Sequence, residues 1–225
     1  MTSLFKLLQP ELDIVRRRLV KETHMQGRSL PGVTIPVLNT IDQDFLPALV
    51  LISAQRQGRS GARALSLAAV FQFIFLASLI HINIKERVAL ETLTGDFFYA
   101  RFFELLCRDG NIQFITPLSH LICQIHLDAA RQCEKKSAPA RLHMREYLAA
   151  AAAYLGSQLC ETEPHLSQAW HEIGLQLGRL WNGRPATVKA KQVIEKHAPG
   201  TVKELLYELV IQLSEKLPAK QVMAL

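Results

Sequence analysis

Between Ala64 and Glu86 apolar residues fall on every side of the helical turn (ALSLAAVFQFIFLASLIHINIKE), and Gln72, Ser78, His81 and Asn83 are the polar interruptions. Phe71, Phe75, Leu79 and Ile82 form one stripe, while Phe73, Ile74, Leu76 and Ile80 fill the opposite side. A helix that is apolar all round predicts a segment enclosed by the rest of the protein. The flanking sequence is amphipathic at the same period. Leu4, Leu7, Leu8, Leu12, Val15 and Leu19 make a stripe within Leu4–Lys21, and further helices are predicted over Thr40–Ala54, Gly95–Cys107, Ile112–Cys133, Ala140–Glu161 and Val188–Leu217, the last as one or two helices. Punctuation agrees with this division. Gly27, Pro31, Gly32 and Pro36 break the chain between Met25 and Asn39, Arg108-Asp109-Gly110-Asn111 is a glycine stop, and Lys135-Lys136-Ser137-Ala138-Pro139 is a hinge. The pattern predicts an all-α fold, a single domain over residues 1–225 wrapped around one buried central helix. The stretch Ala64–Ile82 is also long enough to span a bilayer. A lone mid-chain span without an aromatic belt, between helices of soluble character, favours the core reading.

Composition narrows the class. With 225 residues and 49% hydrophobic residues, one helical domain with a sizeable core is expected. The net charge of +6 would suit an anionic partner, but the basic residues are interspersed with acids. Arg16-Arg17-Arg18 forms the one basic run and shares its helix with Glu11, Asp13 and Glu22, so a solvated helix face is expected and a nucleic-acid partner is not. Cys107, Cys123, Cys133 and Cys160 form no CxxC pair, which predicts reduced thiols, and the N-terminal sequence has no signal-peptide pattern. A cytoplasmic protein with at most peripheral membrane contact is expected.

Candidate chemistry is sparse. His120, Cys123 and His126 recur every third residue, but each such step turns a helix by about 300°, so the first and last side chains diverge and a shared metal is not expected. Asp96, His81 and Glu86 offer no triad or metal set.

The run Ala77-Ser78-Leu79-Ile80-His81-Ile82-Asn83-Ile84-Lys85-Glu86 resembles the end of the buried helix in trans-prenyl diphosphate synthases, small-Thr-Leu-Leu-His-Asp-Asp-x-x-Asp. In that family the aspartates hold magnesium against an allylic diphosphate. Here His81 and the apolar lead-in fit, but the aspartate pair is Ile82-Asn83, and Glu86 is the one nearby acid. Magnesium binds through carboxylates plus substrate phosphates, and isoleucine supplies no oxygen. Other landmarks follow in family order. Pro47-Ala48-Leu49-Val50-Leu51 resembles the helix after Gly-Gly-Lys-Arg-Leu-Arg-Pro, whose cations grip the second diphosphate; those positions are Gln43, Asp44 and Leu46 here, a loss of cations and a gain of negative charge. Gly95-Asp96-Phe97-Phe98-Tyr99-Ala100 resembles Gly-Asp-x-Leu-x-Ala, with no room before it for the family's Arg-Arg-Gly loop. Gly174 to Asn182 resembles Gly-x-x-x-Gly-x-x-Phe-Gln, yet Gly183-Arg184-Pro185-Ala186 stands where the second aspartate cluster would begin.

The resemblance implies a chain with no catalytic, cofactor or metal residues of its own. It is similar to the small subunit, or component I, of two-component heptaprenyl and related polyprenyl diphosphate synthases of isoprenoid quinone (menaquinone) biosynthesis. It implies a heterodimer with a catalytic partner that keeps its aspartates and its magnesium. The helix pair Gly95–Cys133 then implies a subunit interface through Phe98, Phe102, Leu105, Ile115, Leu118 and Ile122. A stand-alone helical module that binds an isoprenoid or other lipid is the alternative.

Overall fold

The computed structural model describes residues 7–25, 28–29, 36–55, 61–84, 87–134, 143–160, 164–198 and 200–215. Nine α-helices lie among these residues: α1 (Gln9–Glu22), α2 (Thr40–Ser53), α3 (Ala62–Ile82), α4 (Val88–Arg108), α5 (Ile115–Glu134), α6 (Met144–Gln158), α7 (Pro164–Trp181), α8 (Thr187–His197) and α9 (Gly200–Glu215). One turn of 3-10 helix (Ile112–Phe114) leads into α5, and β1 (His24–Met25) pairs antiparallel with β2 (Arg28–Ser29) after α1. Gly27, Pro31, Gly32, the hinge Lys135–Pro139 and the pair Lys85-Glu86 lie outside the described residues. The predicted helices appear with ends moved by a few residues, except that α4 starts at Val88 and absorbs the expected lead-in to Gly95.

α3 is the centre. Phe71, Phe73, Phe75, Leu67 and Ile74 have no exposed surface, and one continuous apolar core runs from Leu8, just before α1, to Leu213 on α9. The helix is apolar enough to cross a bilayer, and 78% of its most apolar window is buried within the protein. Its neighbours are α1, α2, α4, α5 and α6.

The closest helix crossing, α6 on α7, follows from small residues. A Cβ on Gly174 would stand 2.3 Å from the Ala149 carbonyl oxygen, and one on Gly178 would stand 2.7 Å from Glu146 Cα. The run Ala149–Ala153 supplies the matching flat surface, so the two backbones approach to a distance that side chains would forbid. The basic run of α1 is a clamp, which corrects the expectation of a solvated face. Arg16 holds the buried carboxylate of Asp44 on α2, with Nε at 3.0 Å from Oδ1, and Arg18 pairs with Asp109 at the end of α4. Asp44 is 1% exposed, and a buried carboxylate requires such a partner.

Candidate functional site

α2 begins and α7 ends at the same end of the bundle, against the second half of α3. Trp181, the last residue of α7, packs its ring 4.8 Å from Phe45 of α2 and 5.2 Å from Phe75 of α3, measured between centroids. Asp42, in the first turn of α2, closes this aromatic cluster from outside. It accepts from Trp181 Nε1 at 2.7 Å, from Arg145 Nη2 at 3.1 and 3.2 Å, and from Asn39 Nδ2 at 2.8 Å. Arg145 also lies over the Trp181 ring at 5.0 Å. Both oxygens of Asp42 are thus taken up by donors. The next acid, Glu146, is buried, paired with Arg184 Nε at 3.2 Å, and accepts from Asn182 Nδ2 at 3.0 Å. Among the described residues no group of three His, Cys, Asp or Glu side chains is placed to hold a metal ion.

The positions singled out by resemblance do not converge. Gln43 is exposed and donates to the Leu38 carbonyl at 3.3 Å, Leu46 is core, and Asp44 is spent on Arg16. The buried Asp44 carboxylate is thus committed to the half-exposed Arg16 of α1. Ile82 is half-buried against the core, Asn83 ends α3 with Nδ2 donating to the Leu79 carbonyl at 2.7 Å, and Glu86 lies outside the described residues.

Beside them is a polar cluster that joins α3, α4 and α5. His81 Nε2 is 3.3 Å from Asp96 Oδ1, and its ring stacks on Tyr99 with centroids 5.5 Å apart. The Tyr99 hydroxyl meets Ser78 Oγ at 2.9 Å and His126 Nε2 at 2.7 Å. Burial pushes the Tyr99 phenol up to about 12. Burial, then the nearby His81, lowers the pKa of His126. His126 thus serves this cluster, while His120 and Cys123 face outward on α5. Along the ends of α3 and α4 runs a groove of about 450 Å³ with Leu79, Ile80 and Leu90 as its apolar lining and Asn83, Arg87, Glu91 and Thr94 among its polar groups.

Most of the expected interface residues lie inside the chain's own core. Phe98, Phe102, Leu105 and Leu118 are fully buried in the chain's own core, and Ile115 and Ile122 are partly buried against it. A side chain with no exposed surface has none to give a partner. The outward face of α4 carries Ala89, Leu93, Asp96, Ala100, Phe103 and Cys107, at alternating steps of four and three. α5 repeats this with Thr116, His120, Cys123, Leu127 and Ala130. On these faces Leu93 is 65%, Leu127 55% and Phe103 45% exposed, apolar residues at coiled-coil spacing interspersed with Asp96, Thr116 and His120, and Ile112 in the 3-10 turn before α5 is 50% exposed.

The sequence matches no family model and no curated protein. Solved structures match the fold. A polyprenyl synthase from Caulobacter crescentus, complexed with calcium and isoprenyl diphosphate, superposes over 95% of this chain and 98% of its own at a TM-score of 0.79 and 17% identity. A decaprenyl diphosphate synthase from Rhodobacter capsulatus gives 0.75 at 15% identity, covering 96% of this chain and 98% of its own. The geranyl diphosphate synthase small subunit from Antirrhinum majus gives 0.54 at 17% identity, covering 99% and 96%. The chain therefore has the all-α isoprenoid-synthase fold of the trans-prenyl diphosphate synthases.

Proposed function

We propose that this chain is the non-catalytic subunit of a hetero-oligomeric prenyl diphosphate synthase and that its partner carries the aspartate clusters and magnesium. One observation carries the reading. At the start of α2 and the end of α7, where the resemblance would put the diphosphate-gripping cations and the second aspartate cluster, this chain has Phe45, Trp181 and Phe75 packed together beneath a saturated Asp42–Arg145 pair. Ion-assisted diphosphate chemistry needs anionic oxygens to hold the metal and cations to hold the leaving group. A small subunit of a geranyl diphosphate synthase among the similar folds supports the idea of a partner. The outward seam of α4 and α5 is the docking face, and by covering the partner there the chain sets the shape of the partner's product tunnel and the length of the product.

The test is reconstitution with a synthase from the same genome that retains both aspartate clusters. Co-expressed, the two chains are expected to co-purify, and the partner is expected to change in turnover or product length when this chain is added. A partner that neither binds this chain nor responds to it would remove the proposal.

The groove at Leu79, Ile80 and Leu90 favours a second reading, a stand-alone module that holds an isoprenoid tail. Binding of a fluorescent farnesyl diphosphate analogue to the isolated chain, lost on Leu79→Glu, would support that reading. No binding at concentrations up to the solubility of the probe would exclude it.

A further inference from the structure

His143, the residue preceding α6, sits between groups whose hydrogen-bonding roles cannot be exchanged. Its Nδ1 is 3.2 Å from Asp128 Oδ2 on α5, and the same oxygen accepts from its backbone N–H at 3.0 Å. Its Nε2 is 2.7 Å from Arg184 Nη2 in the turn between α7 and α8. A carboxylate only accepts and a guanidinium only donates. The ring therefore carries its proton on Nδ1 and offers the Nε2 lone pair to Arg184, and this requires the neutral imidazole. The other charged groups around it are Glu146 on α6, which meets Arg184 Nε at 3.2 Å, and Arg179 on α7, 3.7 Å from the same Glu146. Tyr147 on α6 lies with its ring 5.9 Å from His143, and Arg131 of α5 acts on Tyr147. Burial raises the pKa of Asp128, but hydrogen bonds from the His143 backbone, Gln132 and the His143 ring outweigh it and hold the carboxylate ionised.

We propose that His143 is a proton-operated joint: neutral, it ties the turn after α7 to α5 and α6, and protonated, it releases Arg184 while tightening on Asp128. A second proton puts an N–H on Nε2 facing the N–H of Arg184, so one hydrogen bond is lost and two cations meet. Arg184 retains Glu146, which gives the freed side chain a second resting place. The loosened segment, Asn182 to Arg184, directly follows Trp181, the α7 residue of the aromatic cluster. The joint does not depend on the assembly reading.

The experiment is amide hydrogen exchange by NMR, corrected for intrinsic rates, on the wild type and on His143→Gln between about pH 8 and pH 5, the range in which imidazole titrates. Glutamine donates to Asp128 and accepts from Arg184 as the neutral ring does, but it does not titrate. Protection at the Arg184 amide, bonded to the Arg179 carbonyl at 2.9 Å, is expected to fall about fivefold on acidification in the wild type, the size of one hydrogen bond, and to stay flat in the variant. Imidazole 15N shifts of the wild type are expected to show the proton on Nδ1 at pH 8. Parallel protection profiles in the two proteins, or a proton on Nε2 at pH 8, would overturn the proposal. If the variant fails to fold, the nitrogen shifts of the wild type alone decide it.

Discussion

His81 Nε2 lies 3.3 Å from Asp96 Oδ1 and so bridges α3 to α4. Gly95 lies against the ring, where a Cβ would stand 2.4 Å from the same nitrogen. These three residues lock the neighbouring helices α3 and α4 together. Gly95→Ala is expected to displace His81 and cost about 1–3 kcal/mol, as overpacking of a filled contact does. Urea unfolding measures this, and an unchanged midpoint would show that the ring moves freely aside.

Leu93 and Phe103 face outward on α4, whereas Phe98 is buried between them in sequence. The double variant Leu93→Asp with Phe103→Asp is expected to keep the wild-type circular dichroism and melting temperature and to lose the partner in co-purification. Phe98→Asp is expected to unfold the chain, because it places an unpaired charge in the core at a cost of several kcal/mol. The opposite pattern would return the interface to the buried stripe.

The resemblance assigns the interface to the bulkier face of α4, with Phe98 and Phe102, and the structure buries that face in the chain's own core. Sequence pattern alone does not say which apolar face the rest of the chain covers. The 4-3 spacing of Ala89, Leu93, Asp96, Ala100, Phe103 and Cys107, polar at one position, is the available signal for the second face. The central helix is legible because it is apolar on all sides. The partnership of Asp44 with Arg16 and of Asp42 with Arg145 was not: 28 and 103 residues separate these partners, and no local pattern marks them.

Phe75 is fully buried against Trp181. Phe75→Ala is expected to destabilise the protein by about 3–5 kcal/mol, the transfer cost of the ring plus that of the cavity, and to create no prenyl-transfer activity. Calorimetry and a product assay check the two parts. Normal stability would mean that the aromatic cluster is not packed as described, and gained turnover would mean that it merely blocks a competent site.

Burial lowers the pKa of His126, with help from His81, and burial likewise lowers that of His171. Groups whose folded pKa lies below the unfolded value, about 6.5 for histidine, bind more protons when unfolded. Their stabilising contribution is complete above about pH 6.5 and is lost as the pH falls through the lowered folded values. Melting temperatures are therefore expected to decline on acidification below this point. His126→Gln, which keeps an acceptor for Tyr99, is expected to flatten that decline. An equally steep decline in the variant would place the sensitivity elsewhere.

Catalytic silence is the central claim, and the direct measurement is turnover by the purified chain alone. Incubated with radiolabelled isopentenyl diphosphate, farnesyl diphosphate and Mg²⁺, it is expected to yield no extractable prenyl product above a protein-free control, because Ile82 and Asn83 supply no metal carboxylate and Asp42 and Glu146 are already paired. Product that forms with Mg²⁺ and disappears with EDTA would contradict it.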